Sequence, residues 1–209
     1  MKLRTFCKHT ARSGFTLIEM LAVILILSIL MAALVTSLAG ARDVANEELT
    51  QGRITELGIA LGTYEGDIGD YPPSHFDAGF SSSGGATNQG IEALVLAIWK
   101  APFDGLGQSD DILGNKDDDA ASGQPLLEIL DMWNNPIAYF HRSDYGQVHT
   151  YLTEDNETGE LVENEVVARK HPVTGRWANH QKFQLISAGI DGLFGTADDI
   201  GNFKMQEDE

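Results

Sequence analysis

The chain has 209 residues, with 31 acidic against 14 basic side chains and a formal net charge of −17. That length fits one modest domain plus an appended segment, and such acidity argues against nucleic acid as a partner, because phosphate contacts need a basic surface. Cys7 is the only cysteine, so no internal disulfide can staple the loops, and a metal ion is the obvious substitute.

The chain opens with Lys2, Arg4, Lys8 and Arg12, then Gly14-Phe15-Thr16-Leu17-Ile18-Glu19, then an apolar run to about Ala41 whose only charge is Glu19. A positive head of this kind stays on the cytoplasmic side of a membrane. The run after it, read as residues 15–41, is long enough to cross a bilayer at about 1.5 Å rise per helical residue. An ordinary secretory signal places its cleavage site after the apolar stretch; here the small residue, Gly14, stands before it. A cut after Gly14 removes the basic head, keeps the hydrophobic helix, and takes the formal net charge from −17 to about −21. Glu19 then needs a reason, since an ionised carboxylate at membrane depth costs several kcal/mol without a partner. Snorkelling to the interface near the helix start is one answer.

From Arg42 to about Tyr64, Val44, Leu49, Ile54, Leu57, Ile59 and Leu61 alternate with polar residues in a helical rhythm, predicting that the helix continues beyond the membrane. Asp70-Tyr71-Pro72-Pro73 lies past its end. Gly52, Gly58 and Gly62 weaken this half slightly or let it pack closely on a sheet. Residues 74–90 read as a Gly- and Ser-rich loop, and Ile91–Lys100 as a second helix. An acidic, glycine-rich stretch, Phe103–Gly123, precedes a short apolar piece, Leu126–Leu130. Strands are expected over Pro136–Arg142, Gln147–Leu152, Val162–Arg169 and Lys182–Ser187. The turn signals Asn156–Gly159 and His171–Gly175 separate several of them. Strands clustered after helices predict an α+β domain with a small antiparallel sheet.

Ser187–Ile200 carries Asp191, Asp198 and Asp199 among Gly189, Gly192 and Gly195, with no secondary-structure rhythm. Calcium takes about six to eight oxygen ligands on a flexible loop, and glycines let such a loop turn sharply. The spacing is not that of an EF-hand, and a solvated acidic turn explains it equally well. Asp104–Asn115 echoes Asp191–Asn202: each holds Asp-Gly-Leu, then paired aspartates before isoleucine, then Gly-Asn. Asp104, Asp110 and Asp111, with Asp117, Asp118 and Asp119 close behind, form either a second cation site or an acidic surface loop. The six histidines make no close metal-binding pair at helical spacing, although His141 and His149 could face each other on adjacent strands. With no phosphate loop and no nucleophile elbow, catalysis is not expected.

The unbroken Gly14–Glu19 hexapeptide followed by an apolar helix resembles the class III signal of type IV pilins and type II secretion pseudopilins. The resemblance implies cleavage after Gly14 by a membrane prepilin peptidase, methylation of the new N-terminus at Phe15, and pairing of Glu19 with the Phe15 amine of another copy during filament assembly. It implies the type IV pilin fold, a long N-terminal transmembrane and amphipathic helix packed on a small antiparallel head. The organisation expected is a leader over 1–14, a membrane segment over 15–41, and a periplasmic head over 42–209. Asp191–Ile200 resembles the calcium loop of the type II secretion major pseudopilin, which implies Ca²⁺ held by Asp191, Asp198 and Asp199. Met132–Pro136 looks like that family's tryptophan–asparagine–proline turn before the first strand, and Asp70-Tyr71-Pro72 like its exit from the long helix. Residues of about 74–125 form an insert outside the family pattern. The implied function is a structural subunit that is stored in the inner membrane, assembles into a pseudopilus with the inner-membrane secretion platform, and drives protein export. The alternatives are a type IV pilin for adhesion, motility or DNA uptake, and a membrane-anchored calcium-binding protein that does not polymerise.

Overall fold

The computed structural model describes residues 15–77, 80, 82–83, 85–99 and 112–203. Helix α1 covers Leu17–Ile68, and the chain divides within it into two compact units, Met1–Arg42 and Asp43–Glu209. In the first unit Leu17, Ile18, Leu25, Ile26, Leu27 and Leu30 are each more than half exposed. At about 100° per residue these positions go right round the helix, the pattern of an element meant for apolar surroundings on every side. Among the described residues no helix is long and apolar enough to cross a membrane. Within α1 the side chains described without interruption before the first gap are those of 17–32, and those of 33 and 35–39 fall outside the described set.

In the second unit α1 buries a narrow stripe, Thr50, Ile54, Leu57 and Leu61, while Val44, Leu49 and Ile59 stay exposed. The spacing of three and four residues places the buried four on one face. A Cβ built at Gly52, Gly58 or Gly62 meets nothing within 4 Å, so these glycines do not bring the helix close to a sheet as the sequence suggested. Gly58 and Gly62 border an open groove of about 720 Å³ instead. The helix runs one turn beyond the expected Tyr64 and stops at Gly69, whose φ is +94° and whose amide donates to the Glu65 carbonyl at 2.8 Å. A glycine in the left-handed region is the usual helix terminator.

Helix α2, Gln89–Ile98, buries Ile91, Leu94 and Ile98 in the same core cluster as Ile54, Leu57 and Leu61 of α1. Four very short strands follow: β1 Leu113–Gly114, β2 Ala120–Ala121, β3 Gln124–Pro125 and β4 Glu128–Ile129. After them come β5 Ala138–His141, β6 His149–Glu154, β7 Leu161–Val166, β8 Phe183–Ser187 and β9 Ile200–Gly201. All pair antiparallel, in four small sheets: β1–β4, β2–β3, β6–β7 and the three-stranded β5–β8–β9. The α+β expectation holds, with the single sheet divided into several. β5 pairs with β8 and not with β6, so His141 and His149 are not cross-strand neighbours.

The Asp131–Asn135 turn ahead of β5 is tied down by one acid. Asp131 Oδ1 accepts from the amides of Trp133 at 2.9 Å and Asn135 at 3.0 Å, and its Oδ2 from the Ser187 hydroxyl at 2.6 Å. Trp133 and Tyr71 pack on the core, Tyr71 edge-on to Phe183 with centroids 4.9 Å apart.

The stripe separates two neighbouring apolar side chains by role. Leu57→Ala is expected to cost about 2–5 kcal/mol, the range for a fully buried leucine, whereas Ile59→Ala stays within about 0.5 kcal/mol. Thermal unfolding of the two variants in detergent checks it; equal losses would mean that the buried face is misassigned.

Candidate functional site

At the start of α1, Thr16 and Glu19 hold one another. The Thr16 amide and hydroxyl donate to Glu19 Oε2 at 2.8 and 2.7 Å, and the Glu19 amide donates to Thr16 Oγ1 at 3.3 Å. This is a capping box, Thr-x-x-Glu, which satisfies amides that the first turn of a helix leaves free. The spacing is readable in the sequence, and it gives Glu19 a local task besides any task between copies. A carboxylate has about four lone-pair sites, so two donors leave it able to accept an ammonium. Phe15 lies beside this box, whereas Gly14 lies outside the described residues.

The C-terminal loop joins β8 to β9, and its acids are spent largely on its own backbone. Asp198 Oδ2 accepts from the Asp191 amide at 3.0 Å, and Oδ1 from the Thr196 hydroxyl at 2.6 Å. Asp191 Oδ1 accepts from the Leu193 amide at 2.8 Å. Asp199 forms an ion pair with Arg169 and accepts from the Gly195 amide. Burial opposes ionisation of Asp198, but the Thr196 hydroxyl and backbone amides outweigh it and hold its carboxyl below the usual range. For Asp199 burial prevails over the Gly195 amide and Arg169, and its carboxyl is raised.

Loop carbonyls are engaged as well. Thr153 Oγ1 donates to Gly192 O at 2.6 Å, and Asn156 Nδ2 to Ile190 O at 2.7 Å. The loop thus clasps the end of β6. The donor set, carboxylates and carbonyls, has the chemistry of a hard-cation site, and the structure places Asp191 beside Asp198. Asp199 is committed to the Arg169 guanidinium, so it joins such a set only by releasing that partner. Asp104, Asp110 and Asp111 lie outside the described residues.

A third group was not assembled by sequence reasoning. Glu92 on α2, Asp117 in the β1–β2 loop and Glu128 on β4 place one oxygen each within 4.8 Å of one another. Glu92, Glu128 and nearby Asp119 are buried. Burial, then the charges of Asp119, Asp117 and Glu128, push Glu92 up to about 10; burial pushes Glu128 up to about 7 against its hydrogen-bond donors. The aspartates were visible as an acidic run, but Glu92 reads as a polar position in an apolar helix.

A model of the prokaryotic N-terminal methylation motif matches residues 9–35. The chain is 26% identical over 196 residues to type II secretion system core protein G of Aeromonas hydrophila, spanning 94% of this chain and 95% of that one. With core protein G of Pseudomonas aeruginosa it shares 32% identity over 149 residues, 71% of this chain and 87% of its relative. The Escherichia coli core protein G is 26% identical over 194 residues, 93% and 92% of the two chains. No solved structure matches.

The clasp depends on Gly192, where φ is +77° and a Cβ would overlap the Glu154 carbonyl. Gly192→Ala is expected to destabilise by more than about 2 kcal/mol, because the clash adds to the roughly 1–2 kcal/mol cost of the left-handed backbone. Gly159→Ala, with φ +71° and open space around it, carries the backbone cost alone. Comparing the two melting temperatures tests the clasp, and equal losses would refute it.

Proposed function

The chain belongs to the type II secretion system core protein G family, as a pseudopilin subunit of that system, and from this premise we propose how it works. The leader is cut after Gly14, the helix over 15–41 holds the subunit in the inner membrane, and the head over 42–209 stands in the periplasm. Subunits then leave the membrane into a pseudopilus on the inner-membrane secretion platform, pushing exported proteins outward. The observation that carries this is the first half of α1. Its apolar side chains are exposed all round, and about 25 cal/mol is gained for each Å² of such surface that lipid or neighbouring helices cover. In the membrane that surface meets acyl chains; in the filament it meets the helices of other copies.

Glu19 supplies register. Its ionised carboxylate attracts the Phe15 amine of the adjacent copy, and a charge pair away from water is far stronger than one at a surface. The capping box lets cap and charge be separated, because glutamine keeps the box but carries no charge. Glu19→Gln is therefore expected to leave membrane insertion intact and to abolish pseudopili, scored by shearing and electron microscopy. If Glu19→Gln assembles as well as the unsubstituted chain, Glu19 is a helix cap and nothing more.

The second part of the proposal is calcium in the C-terminal loop, held by Asp191 and Asp198 with loop carbonyls, Asp199 joining as Arg169 yields. The all-oxygen donor set and the glycine hinges support it. Bound there, the ion would cross-link the loop in a chain that has no disulfide. Asp198→Asn is expected to lower the calcium bound per chain by one, measured by equilibrium dialysis in detergent; an unchanged count overturns this part.

A further inference from the structure

We propose that Glu92, Asp117, Asp119 and Glu128 form a second, buried calcium site, built on α2 and on residues 112–129 and separate from the C-terminal loop. Both carboxylate oxygens of Glu92, of Asp117 and of Asp119 are buried without a hydrogen-bond partner. Glu92 is fully buried and Asp119 is 2% exposed. An unpartnered carboxylate inside a protein costs several kcal/mol, and here several converge on one point. Oxygens at about 2.3–2.6 Å from a common calcium ion lie no more than roughly 5 Å apart, and the 4.8 Å limit met by Glu92, Asp117 and Glu128 fits that span.

The surroundings are shaped to keep the cluster open to an ion. Asn88 precedes α2 in the left-handed conformation and makes no side-chain cap. Its Nδ2 instead donates to Glu128 Oε1 at 2.7 Å, while its Oδ1 accepts from the Leu152 amide at 2.9 Å. The Lys116 amide donates to Glu128 Oε2 at 2.9 Å. These donors orient Glu128 and leave each of its oxygens a free lone pair. The Lys116 ammonium, the nearest cation in the loop, turns away to Glu154 at 2.8 Å and neutralises none of the cluster.

The 115–119 loop is wound to aim alternate side chains inward. Asn115 closes it, donating to the Asp119 carbonyl at 2.7 Å and accepting from the Asp119 amide at 3.1 Å. Asp118, at φ +55°, takes the strained corner and is exposed, while its neighbours Asp117 and Asp119 turn inward. The ligand set holds carboxylate oxygen and no nitrogen or sulfur, which selects a hard cation. One oxygen each from Glu92, Asp117 and Glu128 converges, with the Asp119 carboxyl beside Glu92. Carboxylates binding through one oxygen or both suit the flexible shell of calcium rather than the tight octahedron of hydrated magnesium.

The test uses the full chain in detergent, stripped with chelator and titrated with CaCl2 by equilibrium dialysis, with circular dichroism as a check of folding. Glu92→Gln and Asp119→Asn are each expected to bind one calcium fewer than the unsubstituted chain, and to lose the matching part of the calcium-dependent rise in melting temperature. In chelator both variants should melt no lower than the unsubstituted chain, because each replaces a buried carboxyl group that has no hydrogen-bond partner with an amide of the same shape. The Asp198→Asn chain should retain the Glu92-dependent ion, which separates this site from the C-terminal loop. Full calcium stoichiometry in both Glu92→Gln and Asp119→Asn would overturn the proposal.

Discussion

A carboxylate removed from water must meet hydrogen-bond donors, a cation or a proton, and the head is organised by how each of its buried acids meets that demand. Asp131 takes two amides and a hydroxyl and so joins the turn before β5 to β8. Asp144 accepts from the Ser74 hydroxyl at 2.6 Å, which ties the exit from α1 to the end of β5. Asp199 takes Arg169, linking the C-terminal loop to the segment after β7. In each case the acid joins segments distant in sequence, doing in part what disulfides do in other small domains. The cluster at Glu92 is where protein donors run out, and it lies in the part of the chain with the shortest strands.

Short strands explain why such ties are needed. β1 to β4 are two residues each, too few for ladder hydrogen bonds to hold them alone. What fixes them is the Asn115 closure, the two donors on Glu128 and the packing of α2 against β4 and β5. Four buried carboxyl groups with too few donors at their centre oppose that packing, and a divalent ion would supply the missing partner. The contact of α2 with residues 112–129 would then be a metal-stapled counterpart of the clasp made by residues 188–199.

Much of the fold was legible because periodicity and turn chemistry act locally. The strands expected at 136–142, 147–152, 162–169 and 182–187 fall at 138–141, 149–154, 161–166 and 183–187. Ile54, Leu57 and Leu61 were legible as helical and apolar, but not as the buried subset, since Val44, Leu49 and Ile59 have the same character and only tertiary contact tells them apart. β9 was invisible: two residues carry no alternation. The buried cluster was half visible. Asn115, Asp117 and Asp119 present oxygen at alternate positions, a loop-ligand pattern. Glu92 and Glu128 enter only when α2 folds over β4, a contact between residues 36 apart that no local pattern encodes.

Thr16-x-x-Glu19 shows the same limit at the other end of the chain. Within a subunit this spacing closes the first turn of α1, and in the assembly proposed above the same carboxylate would offer its charge to a neighbour's amine. The two are compatible because the cap uses amide and hydroxyl donors, which moderate the carboxylate's charge without neutralising it. A salt bridge within the subunit would cancel that charge and leave nothing for assembly. A bare carboxylate would make membrane storage more costly. A neutral-donor cap lies between these extremes: on the proposed assembly it would hold the acid in lipid and leave it competent for a cation from the next copy.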